Sequence, residues 1–582
     1  MATSLSENIR INKSIRFTLL LIPGLFVFLF YSLTFKYHLF FKEQITLFIY
    51  SPEYLLSYFN KPGGLASLAG DFFTQFFYLK TAGPLLITLI FYINWVLFYK
   101  VINPYFSSEK NLIWFILILP LTESLMHYHI GYTITHSLSL ILTLLIFIIS
   151  RRILSSRQKQ FLFPLFILFG YLISGGTIVL YFIFQVFEFL RQKSIHYIAN
   201  ILALIFVIFI PVILRSYFLV TIEEAYLYPF NKLIYLLPSA LSTIYIILNL
   251  IWPDKILSLR SSVIISSIIL IIVIWKDRPD FNREKLLSLS CEGYFGNWNK
   301  VLHLSAEYKL ENQLASYFTN IALAKYNALP AHLLEYYQPF AESLFLPLGR
   351  QSGWLNIFSS NEAYYQIGDM NLTQHSAHLG LIFSPYNRSS RMVKRLAETN
   401  MIIGEKEAAL RYLGMLDKTL FHHQWAQKRI GMIHNRQIIS KELLDKQSFL
   451  PQADTLRKGE DNLSGLRLLA NSNPDNQSAI DYLLCYHLLN KDLQSFKEDF
   501  EKYFTFNRQL PRLYGEALLI ILYQQKASTE EISQYFLPSS LMKEFVEYTE
   551  AYSKSNGQLS NLSNQYRYTY WFFYHFAQKS KE

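Results

Sequence analysis

Any chemistry in this chain has to come from a few acids and histidines set in polar breaks between very apolar stretches. The first break, residues 36–80, holds Glu43, Glu53 and Asp71, with Lys61 and Lys80 beside them. The second, Thr122–His129, holds Glu123, His127 and His129, and His136 follows a little further on. The third, Ser216–Asn231, holds Glu223 and Glu224. A carboxylate placed beside an acceptor hydroxyl can take its proton as a general base, and a lysine can steady a phosphate. Glu53, Asp71, Glu123, Glu223 and Glu224 are therefore the catalytic candidates. His127, His129 and His136 are the candidate metal ligands. Residues two apart on a helix face different sides, so His127 and His129 would chelate together only from a loop. Solvated histidines at an interface are the plainer expectation, and neither a metal nor another cofactor is expected. There is no P-loop, kinase set, G-x-S-x-G elbow or H-E-x-x-H pair. Gly175-Gly176 is a bare doublet in an apolar run, which suits close packing better than phosphate binding.

The elements that position these groups are apolar spans. A bilayer is crossed by about 20 apolar residues, and candidates run through Ile15–Phe35, Ala82–Tyr99, Leu112–Leu125, Tyr132–Ser150, Ile195–Leu214, Leu233–Ile251 and Leu259–Trp275. No small-residue cleavage site follows the first, which is expected to stay as a span. From Lys276 onward the chain reads as a water-soluble helical protein. Two domains are expected, a transmembrane domain over 1–280 and a soluble one over 281–582. The net charge of +11 sits largely in loops beside spans, where membrane orientation accounts for it without nucleic acid. Cys291 and Cys485 both lie in the soluble part, far apart in sequence. That suits two buried thiols better than a disulfide framework or a metal cluster.

Phe161–Leu190 admits two conformations, because Ser174-Gly175-Gly176 stands in its middle. One kinked helix would be about 45 Å long, enough to cross once. A hairpin would have arms of roughly 20 Å, each too short to cross alone but allowed inside a bundle. Arg10, Lys13 and Arg16 put the N-terminus in the cytoplasm, and Arg151, Arg152, Arg157 and Lys159 agree after four spans. With the hairpin, Arg191, Lys193, Lys255 and Arg260 fall inside too. With the kinked helix, Arg215, Lys232, Lys276 and Arg278 do instead. The hairpin is adopted: about nine membrane passes, with the three polar breaks and the C-terminal domain outside.

The soluble part shows helical periodicity without strand-like alternation. The step from Gly368 to Gly404, about 36 residues, is near the 34-residue tetratricopeptide period, and Asn473-Pro474-Asp475 is expected to cap a helix. The fold class is thus all-α: a polytopic transmembrane bundle followed by an irregular tetratricopeptide-like α-solenoid.

The chain resembles a family of bacterial multi-spanning membrane proteins with a helical-repeat C-terminal half and no assigned activity. The resemblance is carried by Pro62-Gly63-Gly64-Leu65, Gln75-Phe76-Phe77 and Gly175-Gly176. In the tail it is carried by Ala377, Leu396-Ala397-Glu398, Gly404, Ala408-Ala409 and Trp425-Ala426. It implies the architecture and says little of chemistry.

Three functions follow as expectations. The first is a membrane-anchored interaction scaffold in cell-envelope biogenesis, binding protein partners through its repeat surface. The second is a glycosyltransferase of the GT-C type using a lipid-linked sugar at the outer face of the plasma membrane, with an acid of the first outer loop as base. The third, transport, is disfavoured by the scarcity of ionisable residues within the spans. Expected partners are the lipid bilayer, a protein and a lipid-linked substrate.

Overall fold

In the computed structural model, residues 13–579 are described except for 106–116, 192–196, 349–352, 435–440, 452–460, 507 and most of 242–277 and 556–563. Every regular element among them is helical. The chain divides into two compact units. The first comprises Met1–Glu284 with Lys418–Phe421, and the second Lys285–Asp417 with His422–Glu582. The main division thus falls a few residues after the expected one.

The first unit opens with α1 (Lys13–Leu29) and a π-turn over Phe30–Thr34. α2 (Lys36–Gln44) continues after a 70° bend at Phe35. Ile45–Ser51 is extended or turn rather than helix. α3 (Pro52–Ser57) then starts with Ser51 as its N-cap and Pro52 in the first turn, where a missing N–H costs nothing. Next come α4 (Gly64–Thr74), α5 (Ala82–Ile102), α6 (Ile118–Met126) and α7 (Ile134–Ile153). α8 (Ser156–Ser174), α9 (Ile178–Arg191), α10 (Tyr197–Phe218) and α11 (Ile222–Leu227) complete the described helices of this unit down to Leu227. Four runs are long and apolar enough to cross a membrane: Ala82–Ile102, Ile134–Arg152, Phe161–Leu190 and Ile198–Phe218. The bent pair Leu21–Thr34 and Lys36–Gln44 is a fifth if counted as one. Several apolar helices could thus cross a membrane, which is consistent with a membrane protein. The expected span Leu259–Trp275 lies mostly outside the described residues, as do the end of Leu233–Ile251 past Ile244 and the start of Leu112–Leu125.

Phe161–Leu190 is one run by composition but two helices by geometry. Phe163 on α8 stacks on Phe182 with ring centroids 5.8 Å apart and meets Phe189 at 5.9 Å. On one continuous helix Phe163 and Phe189 would stand about 39 Å apart at ~1.5 Å per residue. The segment is therefore a hairpin that turns at Gly175-Gly176. At its base Glu188 is buried and pairs with Lys159 (3.2 Å) and Arg151 (3.4 Å). At its apex Ser139 and Thr143 of α7 bond Thr177 at 2.7 and 2.9 Å, and Thr143 donates to Ser174 at 3.1 Å. Hydroxyls satisfy one another and the turn's backbone, which an apolar interior requires.

In the second unit, Gly368 and Gly404 end their helices with φ of +89° and +94°, a left-handed cap that glycine adopts without strain. The helices from Asn361–Ile367 to His423–His434 pack each on the next. Elsewhere the arrangement departs from an open solenoid, in which each repeat meets only its neighbours. One core joins residues between Leu289 and Leu372 with residues between Leu466 and Trp571, so sequence-distant helices close on each other. Asn476, not the Asn473-Pro474-Asp475 step, caps Gln477–Leu489, its side chain accepting from the Ala479 N–H. Cys291 and Cys485 are buried and not joined in a disulfide.

Candidate functional site

The three polar breaks and the hairpin apex meet at one place in the first unit. Lys42 of the first break donates to the carbonyls of His127 and Tyr132 in the second, at 2.7 Å each. Ser67 and Tyr228 join the first break to the third through their hydroxyls at 2.7 Å. His136 packs on Phe230, and Tyr132 on Tyr235, with ring centroids 5.1 and 5.5 Å apart. The apex is held by main-chain atoms. Gly63 N–H donates to Tyr171 O (3.1 Å) and Gly176 N–H to Tyr228 O (2.8 Å). A Cβ on Gly176 would lie 2.1 Å from Tyr226 O, and one on Gly63 would lie 3.0 Å from Gly175 N. Only glycine permits this approach.

Asp71 stands on α4 beside this junction, half-buried. Tyr58 donates to its Oδ2 at 2.6 Å, the Tyr54 and Tyr58 hydroxyls are 2.5 Å apart, and Tyr54 reaches Leu47 O at 3.0 Å. With Asp71 ionised, Tyr54 donates to Tyr58 and Tyr58 to Asp71. With Asp71 protonated the chain can run the other way and end on Leu47 O, so the network accepts either state. Burial raises the Asp71 pKa to about 6, against the opposing effects of the Tyr58 bond and the Lys61 charge. Lys61, also half-buried, has its pKa lowered by burial and feels the carboxylates of Asp71 and Glu224. A carboxyl tuned close to neutrality and facing a cation has the properties of an acid–base group.

The other candidates divide. Glu53 is exposed in the first turn of α3. Glu223 and Glu224 are exposed in the first turn of α11, where Glu224 closes a capping box with Thr221. These three suit the positive end of a helix. Glu123 is fully buried: Ser137 and Tyr132 donate to it, and His127 Nε2 lies 3.4 Å away. His127 Nε2 also meets Ser137 Oγ at 2.9 Å, while its Nδ1 has no partner among the described residues. A Ser–His–acid triad needs the acid on Nδ1, so this cluster is a fastening between α2, α6 and α7. His136 caps α7 through Thr133 and stacks on Tyr132, and His129 packs on Tyr128 and Tyr235. Among the described residues no three His, Cys, Asp or Glu side chains are placed to hold a metal.

Sequence reasoning passed over Tyr54, Tyr58, Ser67, Tyr228 and Lys42. The four-residue step from Tyr54 to Tyr58, and a lysine closing the apolar stretch before Glu43, were the available signals.

An all-helical protein with several membrane-length apolar helices, and a loop-built acid site beside a hairpin apex, defines the class. Within it, the chain belongs to the family described as "Family of unknown function (DUF6057)", matched over residues 11–577. No curated protein and no solved structure matches it.

Proposed function

We propose that the protein is a bacterial plasma-membrane transferase that moves a glycosyl group from a lipid-linked phosphate donor onto an acceptor hydroxyl at the outer face. Asp71 carries this proposal: it joins a raised proton affinity, a neighbouring lysine and a place beside the convergence of all three loops. In the step, the acceptor O–H gives its proton to the Asp71 carboxylate and its oxygen bonds the sugar C1. The C1–O bond to phosphate breaks, and the lipid phosphate leaves with the electron pair beside Lys61. Nine passes, with the N-terminus cytoplasmic and the tail outside, suit the hairpin, which returns the chain to the side it came from.

The test is transfer from a polyprenyl-phosphate sugar donor by the full chain in bilayers. Asp71→Asn should lower the rate by about 10²-fold or more, while Glu53→Gln leaves it near wild type. The wild-type rate should rise with pH through about 6, because the base must be ionised. Full activity of Asp71→Asn would remove the proposal.

The second reading is a scaffold whose helical domain, tetratricopeptide-like over residues 361–434, recruits envelope proteins. The neighbour-on-neighbour stacking there favours it. Retention of an envelope protein by the full chain, lost on deleting residues 361–434, would support it.

A further inference from the structure

Two clefts of the second unit, about 440 and 790 Å³, share Glu311, Leu334, Tyr336, Tyr337 and Arg567 and so form one groove. Small-ligand sites span roughly 300–1,000 Å³, and two joined clefts suit a chain-like ligand rather than a compact one. Open rings stand along it: Tyr337 is 45% and Tyr568 61% exposed, with Phe572, Phe573 and Phe576 partly open further on. Between the rings lie side-chain amides already held in place. Asn312 accepts from Leu314 N–H at 2.9 Å, and Gln313 and Gln338 donate to Glu342 O and Leu333 O at 2.8 Å each. Groups fixed before binding lose little entropy on binding. The charges balance: Glu311, Glu335 and Glu342 face Lys309, Arg567 and Lys579, and Lys579 pairs with Glu342 at 2.5 Å.

We infer that this groove binds a neutral oligosaccharide chain. A pyranose presents a C–H face to an aromatic ring and hydroxyls to amides and carboxylates at its rim, the combination found here. A balanced set of charges gives no field to hold a polyanion. An extended peptide would want a sheet edge or an apolar helix groove, whereas no strand occurs among the described residues and this lining mixes rings with polar groups. The inference rests on the groove alone; if the transferase proposal holds, the bound chain would be its acceptor.

The experiment measures calorimetric binding of linear neutral hexasaccharides of glucose, mannose, galactose and N-acetylglucosamine to the full chain in lipid nanodiscs, free of sugar detergents. At least one should bind saturably. Tyr337→Ala and, separately, Tyr568→Ala should each weaken it about fivefold or more, the loss of one ring contact. Both side chains are exposed, so the unfolding midpoint should not move, and Tyr523→Ala, at an exposed ring elsewhere, should bind as wild type. Asp71→Asn should bind as wild type too, which separates failure of this inference from failure of the transferase proposal. Absence of binding across the set, or binding unchanged in both ring variants, would overturn it.

Discussion

If α8 and α9 form a hairpin, a cysteine at Phe163 and another at Phe189 must be neighbours. The rings they replace have centroids 5.9 Å apart, whereas a single helix would separate them by about 39 Å, more than the ~30 Å hydrocarbon thickness. No bending of a kinked helix at Gly175 closes that gap without making the hairpin itself. The assay uses Phe163→Cys/Phe189→Cys in a Cys291→Ala/Cys485→Ala background, in native membranes. The reagent is dibromobimane, which fluoresces strongly only when it bridges two neighbouring thiols. Bright, intramolecular labelling is expected, and none from Phe163→Cys/Leu172→Cys, which stand about 13 Å apart on one helix. Dark Phe163/Phe189 protein with both thiols otherwise reactive would refute the hairpin and put the C-terminal unit on the other side of the membrane.

Two further outcomes concern the second unit. Glu362 is buried and accepts from Arg391 at 3.0 Å and Arg395 at 2.5 Å, and Arg391 is 1% exposed. Glu362→Gln leaves a buried cation uncompensated and should cost about 3–5 kcal/mol in denaturant unfolding; a loss below about 1 kcal/mol would contradict the burial. Lys446 is buried, donates to Tyr365 O at 2.6 Å, and has its pKa lowered by burial to about 7, with Lys325, Glu442, Arg395 and Glu398 around it. The unfolded chain then holds more protons between about pH 7 and 10, so stability should rise with pH across that window, by on the order of 4 kcal/mol in full. Unfolding followed by tryptophan fluorescence should show that rise flattened in Lys446→Met. An unchanged slope would sink the assignment.

Much of the fold was legible from local pattern. The apolar run Tyr132–Ser150 falls largely on one helix, Ile134–Ile153, and Gly368 and Gly404 each end a helix. The hairpin could be chosen over a kinked helix only on flanking charges, because what fixes it is distant: Ser139 and Thr143, more than thirty positions upstream of Thr177, meet the turn. The closed core of the second unit escaped periodicity for the same reason, since pairing Leu289–Leu372 with Leu466–Trp571 leaves no local mark. Asp71 was one of five candidate acids, and its spacing did not set it apart from the others. Its partner Tyr58 was not among the candidates, because Pro62-Gly63-Gly64 folds the two together from opposite sides of a turn. Glu53 and Glu224 looked equivalent to Asp71 in sequence and differ only in what covers them.

The base of the hairpin bears on how the chain enters the bilayer. Arg151, Lys159 and Glu188 stay together at one end of the arms. Carrying a charged side chain to the bilayer centre costs about 2.5–3.5 kcal/mol each on insertion scales, so threading the arms through one after the other would move several such charges across. Entering as a preformed pair moves only the hydroxyl-rich apex inward and leaves every charge at the surface where synthesis put it. In an insertion of that kind the ion cluster would limit how deep the hairpin can go.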